Sequence, residues 1–233
     1  MKTPIRVPRY DVNWDSAIEK ALENHLRNLL EHHRQIWPTI VDQSTNFFDT
    51  APALLTPPSA EASEHEWRMY DLAAEEMFFD WEAERLRLDY EIPYFHLTSL
   101  FVHICSSTEG WLSSLCDLLA SYHGVRITHR HLKSEWALSA KMEFLESVLN
   151  LDLGLPSDLK QRIRSRFSTR NAIVHSPPLF HYSPPYQHPE KEKLTRSGAF
   201  STSRDGNLRF NEPYLLKTID DSIQFSQSVA AAI

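Results

Sequence analysis

The stretch from Tyr94 to Tyr122 constrains this chain most, because it is apolar around much of a helical circumference. Phe95, Leu97, Leu100, Phe101, Val102, Ile104, Trp111, Leu112, Leu115, Leu118 and Leu119 leave little room for a polar face. A helix of that kind must be surrounded by other elements, so it belongs at the centre of a bundle. Gly124 supplies the stop. The apolar run falls short of the roughly 18–20 uninterrupted residues of a membrane span.

The partners for such a helix are legible on either side. Asp15 to Ile36 repeats Ile18, Leu22, Leu26, Leu29 and Leu30 at helical spacing, with Asp15 or Ser16 as cap and Pro38 as terminator. A second helix is predicted from Ser63 to Asp89, opened by a Ser63/Glu66 capping box and parted from the central helix by Pro93. Its apolar side would be Trp67, Leu72, Met77, Phe78, Trp81 and Leu88. A fourth is predicted over Leu132 to Leu151. A fifth runs from Pro156-Ser157-Asp158 to His175, where Ser176-Pro177-Pro178 ends it. Residues 176–211 differ: proline-rich at first, then a hairpin with Ala199 to Ser203 and Asn207 to Phe210 around an Asp205-Gly206 type I′ turn. Pro213 to Ala231 closes the chain as a helix. The expected architecture is therefore all-α: one domain over 1–233, an up-and-down helical bundle with a loop and β-hairpin arm (176–211) before the last helix.

Charge narrows the function classes. A net charge of −7 argues against a protein that coats long nucleic acid, but not against an enzyme holding a few nucleotides in a local basic pocket. Cys105 and Cys116 lie eleven residues apart on one helix, roughly 16 Å of rise, too far for a disulfide. Met1 to Tyr10 has basic residues with no apolar segment behind them, unlike a signal peptide. A reduced, cytoplasmic protein is expected. His32-His33, His129/His131 and His181/His188 lack the two-plus-two spacing of a zinc site, so neither metal nor other cofactor is expected.

The fifth helix is where charge of one sign concentrates. Lys160, Arg162, Arg164, Arg166, Arg170 and His175 stand there, and no acid occurs from Leu159 to His175. Arg162, Arg166 and Arg170, four apart, form one stripe; Leu159, Ile163 and Phe167 form the apolar stripe beside it, continued by Asn171 and Val174. Asn171 and His175 therefore sit where a core stripe turns polar, with Arg170 alongside. Cleavage of an RNA phosphodiester needs such groups. The 2′-hydroxyl loses a proton, the 5′-oxygen gains one, and charge on the phosphorane needs stabilising. Histidine titrates near neutrality, and arginine offers a planar fork of donors for phosphate oxygens. Asparagine can orient either. The last turn of a helix also favours imidazolium. A second reading of the same residues stands beside this one: Arg170 paired with a bundle carboxylate and His175 capping the helix end.

Phe167-Ser-Thr-Arg-Asn-Ala-Ile-Val-His175 resembles the signature of the HEPN superfamily: Arg, a polar residue, three more residues, then His. Ser106 to Leu115 in the central helix and Ile127 to Lys133 before the next resemble its surroundings, so the similarity covers about residues 94 to 180. The resemblance implies a helical bundle, usually a homodimer with two motifs facing one cleft. It implies a metal-independent endoribonuclease of toxin–antitoxin or phage-defence type, acting on RNA. In others of the family activity has been lost, and the domain serves as an RNA- or nucleotide-binding or partner-scaffolding module. By position, Arg170 would stabilise the phosphorane, His175 act as base or acid, and Asn171 position them, with Arg166 and Arg162 as substrate phosphate contacts. Some members pair with a nucleotidyltransferase-like antitoxin protein; that group carries a tyrosine two residues after the histidine, where this chain has Pro177.

Two further features complete the expectations. Glu109 is a lone acid in an apolar helix; burial would require a partner, either Arg170 or, at an exposed bundle end, water. The 181–211 arm carries Lys191, Lys193, Arg196, Arg204 and Arg209 beside Tyr182, Tyr186 and Phe200, and would either line the substrate path or be an ordinary surface insertion.

Overall fold

The computed structural model describes residues 14–49, 55–132, 137–175, 194–202 and 208–233. They are mostly helical, as the all-α expectation requires. Helix α1 spans Trp14–Asp49, α2 Glu64–Leu86, α3 Ile92–Tyr122, α4 Ala137–Glu143, α5 Ser157–His175 and α6 Glu212–Ala231. Strands β1 (Phe200–Thr202) and β2 (Leu208–Phe210) pair antiparallel. No helix among the described residues is long and apolar enough to cross a membrane.

Two prolines do not act as the stops the sequence suggests. Pro38 lies inside α1, which continues to Asp49. It is exposed, so water can bond the Arg34 carbonyl that loses its donor. Pro93 stands in the first turn of α3, directly after a wide π turn over Arg87–Glu91 that follows α2 without a loop. Such a turn leaves a carbonyl without an N–H where the ladder tightens again, so a residue with no N–H fits there. The capping box at the start of α2 is present: Ser63 Oγ accepts from the Glu66 N–H, and Glu66 accepts from the Ser63 N–H at 2.7 Å. The fourth helix is shorter than expected. After α4 a second π turn, Phe144–Val148, leads to Asn150 at φ 54°, a left-handed position asparagine tolerates.

The chain forms two compact units. One comprises 1–31 and 97–233, the other 32–96; α1 and α3 each run from one into the other. In the first unit α3 is the centre, as its composition demands: Phe101, Ile104, Leu112 and Cys116 are wholly buried. Leu22 and Leu26 of α1, Leu159 and Ile163 of α5, and Leu215, Ile219 and Phe225 of α6 share that core. The hairpin belongs to it too. Phe210 meets Phe101 at a tilt, with ring centroids 5.2 Å apart, and meets Tyr214 and Phe200 edge-on at 6.0 and 5.1 Å. Its register sets Thr202 opposite Leu208, one residue away from what an unbroken ladder closed by a two-residue Asp205-Gly206 turn would give. That turn, the proline-rich stretch, Lys191, Lys193, Tyr182, Tyr186 and Arg204 lie outside the described residues.

The second unit is a helical hairpin made by the end of α1, α2, the π turn and the start of α3. Phe47 stacks on Trp81 at 5.6 Å and Tyr90 on Tyr94 at 5.8 Å. The apolar side expected of α2 is only half realised: Leu88, just beyond it, is buried, but α2 itself buries no residue fully, and Trp67, Leu72 and Phe78 are exposed.

Candidate functional site

Helix α5 is fixed to the core by the apolar stripe read from its sequence: Leu159, Ile163 and Phe167 are all buried. The stripe ends as expected, with Asn171 half-buried and Val174 and His175 exposed. The arginine stripe divides. Arg166 is buried, its Nε and Nη2 donating to Asp221 Oδ2 at 3.3 and 3.0 Å, with its guanidinium 3.8 Å above the Tyr214 ring. Arg162 donates from Nε to Asp221 Oδ1 at 2.9 Å and also pairs with Asp158; that bond holds the Asp158 carboxyl below its ordinary range. The two arginines expected to contact substrate thus clamp one buried carboxylate and tie α5 to α6. Asp221 had no visible signature, since Asp220 precedes it and only packing decides which of the two turns inward.

Arg170 is placed differently. It is half-buried, donating from Nη1 to Asn171 Oδ1 at 2.9 Å and from Nη2 to Ser106 Oγ of α3 at 3.5 Å. Its Nε is buried without a hydrogen-bond partner among the described residues. Arg170 and Asn171 are therefore together, between α5 and α3, and His175 ends the same helix with its side chain in the open. Glu109 is not the partner of Arg170. It accepts from Lys141 Nζ of α4 at 3.0 Å, and the buried ammonium explains why an acid is kept on that helix. Cys105, wholly buried under this region, has its thiol pushed up to about 12 by burial, against the pull of Arg170 and Arg166.

The site extends to residues the sequence did not single out. His103, Ser106, Ser107 and Gly110 stand at i, i+3, i+4 and i+7 on α3, one stripe of the helix. His25 of α1 reaches this stripe, its Nε2 lying 3.1 Å from His103 Nε2 and 3.2 Å from Ser107 Oγ. Both histidines are exposed, and a Cβ added at Gly110 would meet nothing within 4 Å. An open polar seam on α3 thus has His25 bonded into it from α1 and Arg170 from α5. The sequence carried no signal for it beyond a small polar cluster in an apolar helix. Among the described residues no three His, Cys, Asp or Glu side chains converge as metal ligands. No family model matches the chain, and neither a curated protein nor a solved structure matches it significantly.

Proposed function

We propose that this chain is a metal-independent endoribonuclease of HEPN type, acting as a homodimer on RNA in a toxin–antitoxin or phage-defence setting in the cytoplasm. The observation that carries the reading is the Arg170–Asn171 pair. The guanidinium is steered by Asn171 and Ser106, its buried Nε has no hydrogen-bond partner among the described residues, and it stands on the helix that ends in an exposed His175. In this scheme Arg170 neutralises charge on the phosphorane, Asn171 orients it, and His175 takes the 2′-hydroxyl proton. Arg162 and Arg166 hold α5 in place through Asp221 rather than gripping phosphate, and Glu109 acts on Lys141. The resemblance of residues 167–175 to the family motif supplies the reaction class, the dimer and the antitoxin as partner.

The test is cleavage of a synthetic single-stranded RNA in EDTA. The wild type is expected to cut, leaving a 2′,3′-cyclic phosphate. Arg170→Ala and His175→Ala should each lose roughly 10²–10⁴-fold in rate with unchanged helical circular dichroism. No cleavage with EDTA or with divalent metal overturns the reading. RNA binding without cleavage would favour a binding module instead.

A further inference from the structure

Transesterification of RNA needs two proton transfers, one from the 2′-hydroxyl and one to the departing 5′-oxygen. Each copy of the Arg-Asn-x-x-x-His motif offers one imidazole, so the second transfer falls either to the other copy's His175 across a dimer cleft or to a further group of this chain. We propose that His103 is the general acid of this site and that His25 positions it, an inference that rests on the endoribonuclease reading.

The geometry points there for three reasons. First, His103 lies on the same α3 stripe as Ser106, the residue bonded to Arg170. Three residues of helix put them about 4.5 Å apart along the axis, so a phosphodiester held by Arg170 comes within reach of His103. Second, the seam is open: His103 and His25 are exposed, and among the described residues nothing lies within 4 Å of a Cβ added at Gly110. Third, the two ring nitrogens of His103 are differently engaged. Nε2 meets His25 Nε2 at 3.1 Å, while Nδ1 has no partner among the described residues. His25, which also bonds Ser107 Oγ, accepts the Nε2 proton of a protonated His103 and leaves the Nδ1–H for the substrate.

The step balances without a further reactant. His175 takes the 2′-hydroxyl proton, and the 2′-oxygen forms a bond to phosphorus. The P–O5′ bond breaks, and its electron pair receives the Nδ1 proton of His103. The products are a 2′,3′-cyclic phosphate and a 5′-hydroxyl, after which water restores both imidazoles to their starting protonation.

A leaving-group comparison tests the assignment. One substrate is a uridylyl dinucleotide. The other is the para-nitrophenyl ester of uridine 3′-phosphate, whose phenolate departs without an acid. His103→Ala is expected to lose roughly 10²–10⁴-fold on the dinucleotide but less than about tenfold on the aryl ester. His175→Ala should fall on both. His25→Ala should retain part of the activity and displace the acid-dependent limb of the kcat/KM pH profile. Equal losses of His103→Ala on the two substrates, or full activity of His103→Ala on the dinucleotide, overturn the role of His103 and leave the endoribonuclease reading standing. A wild type inactive on both substrates overturns that reading itself and this inference with it.

Discussion

At the scale of single residues, the clearest lesson concerns charge kept away from water. Asp221 carries bonds from two arginines, and Arg166 is nearly as buried as the carboxylate it meets. Removing one member of such a pair leaves the other desolvated and unmatched. Asp221→Ala is therefore expected to destabilise the fold by about 3 kcal/mol in urea unfolding, and Asp221→Asn should destabilise it as well, since its one oxygen can accept from Arg162 while its NH2 donor then faces the buried Arg166. A change in melting no larger than that of an exposed substitution would show that the clamp does not hold α5 to α6. None of this could be read from the arginine stripe alone. Spacing placed Arg162, Arg166 and Arg170 on one face, but a face can point to water or to another helix, and an acid 55 residues further on decided it. Arg170 escaped that fate because its neighbours are Asn171 and a serine.

Helices were legible where apolar spacing was strong, and their ends were legible where a side chain caps them, as at Ser63. Two of the misjudged boundaries, at Pro38 and Pro93, were entrusted to proline. Solvent can serve a carbonyl next to Pro38, and a π turn can absorb Pro93; both depend on surroundings that local sequence does not carry. The α1–α3 seam was invisible for the same reason, since His25 and His103 are 78 positions apart. Further along that seam His33 Nδ1 lies 3.1 Å from His96 Nε2, and Trp37 stacks on His96 at 5.9 Å. Burial lowers the pKa of His96, with His33 and His32 adding to the effect. An unfolded chain takes up this proton below about pH 6.5, whereas the folded one resists until the pH is lower. Stability is thus full above that value and declines as the pH falls towards the depressed one. The melting temperature should drop between about pH 7.5 and about pH 5.5, the window in which histidine titrates, and His96→Gln should flatten the decline. An unchanged slope in that variant would remove His96 as the cause.

For the whole molecule, the mostly helical build and the central position of α3 in the first unit followed from composition, because a helix apolar around much of its circumference has no stable place except inside. The division of the chain did not follow, since it runs through the middle of two helices and no linker marks it. That division has a topological meaning. Residues 32–96 leave the first unit along α1 and return along α3. The two helices are side by side at both His25/His103 and His33/His96, so exit and re-entry are neighbours. A segment whose ends meet can be replaced by a short turn at little entropic cost. Replacing 32–96 with a glycine-rich turn should yield a shorter protein that melts cooperatively and keeps Arg170, Ser106 and His103 on their helices. Loss of cooperative melting would mean that the first unit needs the excised hairpin in order to fold. In evolutionary terms the hairpin is then a detachable insertion, free to change its outward aromatic surface while the arginine–histidine seam stays under separate selection.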